Sequence, residues 1–150
     1  MAGAKRLEEL IIWILACELR DGIGVALSTG TGRQDWDFRN QVERSSRSTT
    51  SNIAEGYGHF KPRQFAKYLR IARASAMETL NHTIEGRTKK YFAPQDAERF
   101  ARLSRRVIKG TSSLIGYLDS CDPDLDLRAG IPGDRRASAG PNPTSEHPNR

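Results

Sequence analysis

This sequence is short of cysteine, of aromatic residues and of acids. Cys17 and Cys121 are its two cysteines in 150 residues, too few for a disulfide framework, and no metal-site spacing surrounds either one. They read as buried structural thiols. Aromatic residues make up 7% of the chain and strand-like alternation is lacking, which argues against a sandwich or barrel. Long apolar runs are missing too: "LIIWILA", starting at Leu10, is closed by Glu18 and Arg20. That is too short to span a bilayer, and with Glu8 and Glu9 ahead of it, it makes a poor secretory leader. A cytoplasmic protein without a membrane partner is expected.

The shortage of acids is uneven. Lys and Arg outnumber Asp and Glu by 24 to 18, and residues 1–121 hold 20 of those bases against 13 of the acids. A surplus of that size favours polyanions as partners.

What is present is helical periodicity. Residues 5–29 carry Leu7, Leu10, Ile11, Ile14, Ile23, Ala26 and Leu27 at helical spacing before "STGTG" breaks the pattern. Asp35 or Asp37 caps a second helix with Phe38, Val42, Ser45, Thr49 and Ile53 on its inner face, stopping at Gly56 and Gly58. Lys61-Pro62 opens a third, with Phe65, Leu69, Ala72, Ala76, Leu80 and Ile84 inward as far as about Phe92. Pro94 restarts the chain for a fourth, with Phe100, Leu103, Val107, Thr111, Leu114 and Leu118 inward, ending near Cys121. Three short connections make an all-α, antiparallel up-down four-helix bundle over 1–121 the economical assembly. Residues 122–150 hold five of the seven prolines and read as a disordered tail.

Helix two is the unusual element. "RSSRSTTSNIAEGYG" (Arg44 to Gly58) has one large aliphatic residue, Ile53, among hydroxyls and charges. Small hydroxyl residues allow close helix approach and can bond back to the preceding turn. Glu55, one position before Gly56, calls for a partner, and Arg70, Arg73 or a neighbouring subunit could supply it.

"NIAEGYG" (Asn52 to Gly58) followed by "FAKYLRIARASAMETL" (Phe65 to Leu80), with "LIIWILACEL" upstream, resembles the four-helix bundle family first noted as products of intervening sequences in bacterial 23S rRNA genes. The likeness covers about residues 7–120 and carries Asn52, Glu55 and Gly56 in its motif, with Arg73 a candidate structural partner of Glu55. It implies a homopentameric ring with no established enzymatic activity. A distant relative, the accessory variability determinant of diversity-generating retroelements, implies a reverse transcriptase and nucleic acid as partners. Here Thr49-Thr50 stand where the family usually has Ile-Pro, so helix two is more polar than is usual.

Catalytic and cofactor motifs are not found. Glu78 and His82 share a helical face, but the paired Glu-x-x-His motifs of a di-metal bundle are missing. No Ser lies in a Gly-x-Ser-x-Gly turn, and "STGTGRQ" lacks the Lys-Ser/Thr ending of a phosphate loop. The expectation is a non-enzyme without metal or cofactor. Basic stripes remain: Arg99, Arg102, Arg106 and Lys109 on helix four, and Arg63, Lys67 and Arg70 on helix three. These are the candidate DNA- or RNA-binding residues, expected to contact phosphates because no aromatics interleave them. A protein-interaction scaffold with merely solubilising charges is the alternative.

Overall fold

A computed structural model describes residues 4–130. Four helices account for most of it: α1 Ile11–Thr29, α2 Trp36–Gly58, α3 Pro62–Thr88 and α4 Pro94–Ser120. Each packs against its neighbour in sequence, and α1 also packs against α4, closing the bundle. The short links follow from local signals. Asp35 accepts a 3.0 Å hydrogen bond from Phe38 N and so starts α2, while Pro62 and Pro94 occupy first turns, where no backbone donor is needed.

Leu10, Ile23 and Leu27 are inward as expected, but over the first turns of α1 the inner face is rotated by one residue from the sequence expectation. Ile12, Leu15, Ala16, Leu19, Ile23 and Leu27 are buried, whereas Ile11 and Ile14 stand 48% and 42% exposed. With apolar residues on every side of the first turns, periodicity fits either face, and packing against α4 decides. On α3, Ile84 is likewise exposed and Thr83 takes the buried position. Cys17 and Cys121 are half-buried free thiols rather than core residues, and burial pushes the Cys17 thiol above its ordinary range.

The chain does not leave the bundle at Cys121. Leu127 N donates to Phe60 O at 2.9 Å, Lys61 Nζ donates to Asp124 O at 2.9 Å, and the Leu127 side chain is buried. Residues 122–130 thus lie against the α2–α3 corner, where a free tail was expected. The remainder of the expected disordered segment, 131–150, falls outside the described residues.

Candidate nucleic-acid interface

The hydroxyl-rich part of α2 faces α3. Ser45, Ser46, Thr49 and Thr50 are buried, and their hydroxyls bond back to the preceding turn, as Thr49 Oγ1 does to Ser45 O at 3.0 Å. Across the seam Thr79 Oγ1 lies 2.9 Å from Ser45 Oγ, and Ser48 Oγ lies 2.8 Å from Ser75 Oγ. This small polar face is therefore used inside the chain, at the seam between α2 and α3.

Within the motif, Asn52 Nδ2 donates to Ser48 O at 2.8 Å and Ile53 is fully buried. A Cβ on Gly56 would sit 2.8 Å from both Phe65 Cδ2 and Tyr68 Cβ, so only glycine permits α2 and α3 to cross here. The expected pairing of Glu55 with Arg70 or Arg73 does not form within the chain. Glu55 is exposed. Arg70 Nη2 instead pairs with Asp119 Oδ2 at 2.6 Å, and Arg73 Nη1 donates to Ser112 Oγ at 3.2 Å. Glu55 faces Tyr68, whose hydroxyl it pushes above the usual tyrosine range.

His82 is buried against the edge of the Phe38 ring, with Nδ1 3.4 Å from Glu85 Oε2 and Nε2 3.6 Å from Glu78 Oε1. Among the described residues no group of three metal-ligating side chains assembles around it or elsewhere.

The α4 stripe divides. Arg102, Arg106 and Lys109 are exposed on the outer face, and Arg105, absent from the sequence reading, is exposed between them. A stripe counted from Arg99 in steps of three and four passes over Arg105, yet once the Phe100–Val107 side is fixed inward, Arg105 falls on one flank of the outer arc, about 50° from the centre held by Arg102 and Lys109. Arg99 turns away from that face. Its guanidinium carbon lies 5.4 Å from the Phe100 ring centre, and Nη2 occupies the space beside Gly22, only 2.5 Å from where a Cβ would be. Among the described residues none of Arg102, Arg105, Arg106 and Lys109 has a carboxylate within ion-pair distance.

Arg63, Lys67 and Arg70 are exposed on α3 but do not extend this patch. The Arg70–Asp119 and Arg73–Ser112 contacts fix the antiparallel register. They set Arg70 beside the C-terminal end of α4, about 20 Å along the axis from Arg106 at 1.5 Å per residue. Arg70 is moreover neutralised by Asp119.

A family model described as "23S rRNA-intervening sequence protein" matches residues 8–113. Among solved structures, a protein of unknown function from the S23 ribosomal protein family of Bacteroides thetaiotaomicron VPI-5482 superposes with a TM-score of 0.64 at 20% identity. The match covers 71% of this chain and 96% of that one. At that identity the likeness speaks for the fold alone. No curated protein matches.

Proposed function

Since the chain belongs to the 23S rRNA-intervening sequence protein family, we propose that it is a non-enzymatic binding module that engages nucleic acid through phosphate contacts. The observation that carries this reading is the cationic face of α4, Arg102, Arg105, Arg106 and Lys109, unpaired among the described residues and on a helix with no acid between Glu98 and Asp119. Four unopposed cations within two turns suit a polyanion better than a solvated face, which ordinarily interleaves both signs. Little sequence preference is expected, because phosphate contacts position a protein without reading bases.

In the same reading the chain acts in the cytoplasm, assembles with itself as a pentamer in keeping with the family likeness, and works beside a nucleic-acid enzyme such as a reverse transcriptase. No helix among the described residues is long and apolar enough to cross a membrane. Ile11, Ile14 and Val25 leave an exposed apolar row along α1, interrupted by the acids Glu18 and Asp21. Such a row is available for self-association. Light scattering that gave one subunit's mass, 16.7 kDa, at micromolar concentration would remove that part.

The binding experiment is anisotropy titration of labelled duplex DNA, single-stranded DNA and structured RNA at about 50 and 200 mM salt, over which phosphate-led affinity falls steeply. A protein with Arg102, Arg105, Arg106 and Lys109 all changed to Glu should keep its circular dichroism spectrum and lose the salt-dependent affinity. Absence of binding by wild type to all three probes at the lower salt would favour the scaffold alternative. Met77 and Ile84, both exposed on α3, would then be the surface to examine.

A further inference from the structure

The largest exposed aromatic surface in the described chain belongs to Trp36, which is 71% accessible. It stands at the first position of α2, and that position is held firmly. Asp35 caps Phe38 N through Oδ1 and accepts the Tyr91 hydroxyl at 2.9 Å on Oδ2, tying the helix start to the α3–α4 connection. Trp36 itself is in no aromatic pair or cation–π contact among the described residues.

Along its own helix the residues that follow it are polar and cationic, and at the far end Arg47 borders a cleft shared with Glu43 and with Asp21 and Val25 of α1. At about 100° per residue, Trp36, Asn40, Arg44, Arg47 and Ser51 fall within roughly an 80° arc of α2, and all five are exposed. No acid lies in that arc. Asp37 and Glu43 each fall about 20° beyond its edges, and Glu43 pairs with Arg39 at 3.1 Å. Neither Arg44 nor Arg47 has a carboxylate within ion-pair distance among the described residues. From Trp36 to Arg47 the row runs about 16 Å at 1.5 Å per residue.

We infer that this row is a site for single-stranded nucleic acid, in which Trp36 stacks on a base and Arg44 and Arg47 contact the phosphates that follow it. A protein partner would call for apolar neighbours around the tryptophan, and the nearest exposed α2 positions, Asp37 and Asn40, supply none. A base presents a π-face and an adjoining anion, which is the pairing this row offers. Duplex ends aside, bases inside a double helix are already stacked, so the site discriminates for single strands. Asn40, one turn on from Trp36, can hydrogen-bond a base edge. The inference deepens the nucleic-acid reading by adding a second surface with a different strand preference from that of α4.

The test uses Trp13→Phe, which leaves Trp36 as the only tryptophan, with the fold checked by circular dichroism. Titration with oligothymidylate and oligouridylate of about eight nucleotides, within the usual range for one single-strand site, should quench Trp36 emission. An equal concentration of blunt duplex should not. In the otherwise wild-type protein, Trp36→Ala should weaken binding of a labelled single strand about tenfold, the equivalent of one lost base stack. Changing Arg44 and Arg47 to Gln should reduce the logarithmic salt slope by about 1.4. Emission unmoved by single strands, quenching by duplex as strong as by single strand, or unchanged affinity in Trp36→Ala would each overturn the inference. The two surfaces separate cleanly. Salt-dependent duplex binding with silent Trp36 leaves the α4 reading standing and removes this one, whereas quenching that survives charge reversal of α4 keeps this one.

Discussion

Ser48 Oγ lies 2.8 Å from Ser75 Oγ across the seam between α2 and α3, and Asn52 Nδ2 reaches back to both Ser48 O and Ser48 Oγ. Asn52 thereby orients the hydroxyl that joins the two helices, which gives this asparagine a physical role in its motif. Asn52→Ala should cost about 1 kcal/mol in urea unfolding, the usual net value of such bonds. Glu55→Ala, three residues on, should change stability by less than about 0.5 kcal/mol in the isolated chain because the side chain is exposed. A loss of several kcal/mol on Glu55→Ala would mean the carboxylate is buried against a neighbouring subunit.

Gly56 offers a sharper test of the same seam. An added Cβ would meet Phe65 Cδ2 and Tyr68 Cβ at 2.8 Å and Phe65 O at 3.2 Å. The backbone oxygen cannot swing aside, so α2 and α3 must separate. Gly56→Ala should destabilise by about 1–3 kcal/mol, against the gain of up to about 1 kcal/mol that alanine ordinarily brings within a helix. Thermal unfolding with a raised midpoint would show that the crossing is looser than described.

Four helices, their caps and the inward faces of α2 and most of α4 follow from spacing, because each has one clearly apolar or small side. The face of α1 does not follow, since "LIIWILA" is apolar all round and only packing chooses Ile12 and Leu15 over Ile11 and Ile14. The partners of Arg70 and Arg73 lie 49 and 39 residues away, a distance at which composition near Glu55 is silent. Arg99 leaves its stripe because Gly22 opens a place for it on α1, a tertiary relationship with no local signal. Trp36 gave no signal either: an aromatic at a helix start ordinarily reads as core, and here Phe38 takes that role.

Acid should loosen the end of the bundle where α2 begins. Hydrogen bonds from Phe38 N and the Tyr91 hydroxyl, with the nearby Lys89, hold the Asp35 carboxyl below its ordinary value of 3.8. Glu85 is lowered by Lys89 and His82. A depressed carboxylate contributes stability that is fully present above its unfolded value and is lost as pH falls through the folded one. Stability should therefore decline below about pH 4. Asp35→Asn, which keeps a good cap but removes the charge, should show a shallower decline in urea midpoint between about pH 5 and 2. An identical slope in the two proteins would show that Asp35 does not couple to folding.

The inner face of α4 carries two hydroxyls that gain nothing from burial. Ser104 Oγ and Thr111 Oγ1 are both enclosed and lack a hydrogen-bond partner among the described residues. A buried hydroxyl left unpaired costs about 1–3 kcal/mol by mutational measures. Valine has nearly the shape of threonine and removes the polar atom, so Thr111→Val should fill the same space at 0% exposure without leaving a cavity. Helix propensity hardly differs between the two residues. Stability should rise by about 1 kcal/mol, visible as a higher urea midpoint with an unchanged denaturant slope. Ser104→Ala should act in the same direction, helped by the better helix propensity of alanine, and the two gains should nearly add, because positions 104 and 111 lie about 10 Å apart along the helix. A loss of stability in Thr111→Val would mean that the hydroxyl has a partner, and the Val107 carbonyl one turn back would be the first acceptor to examine by amide exchange.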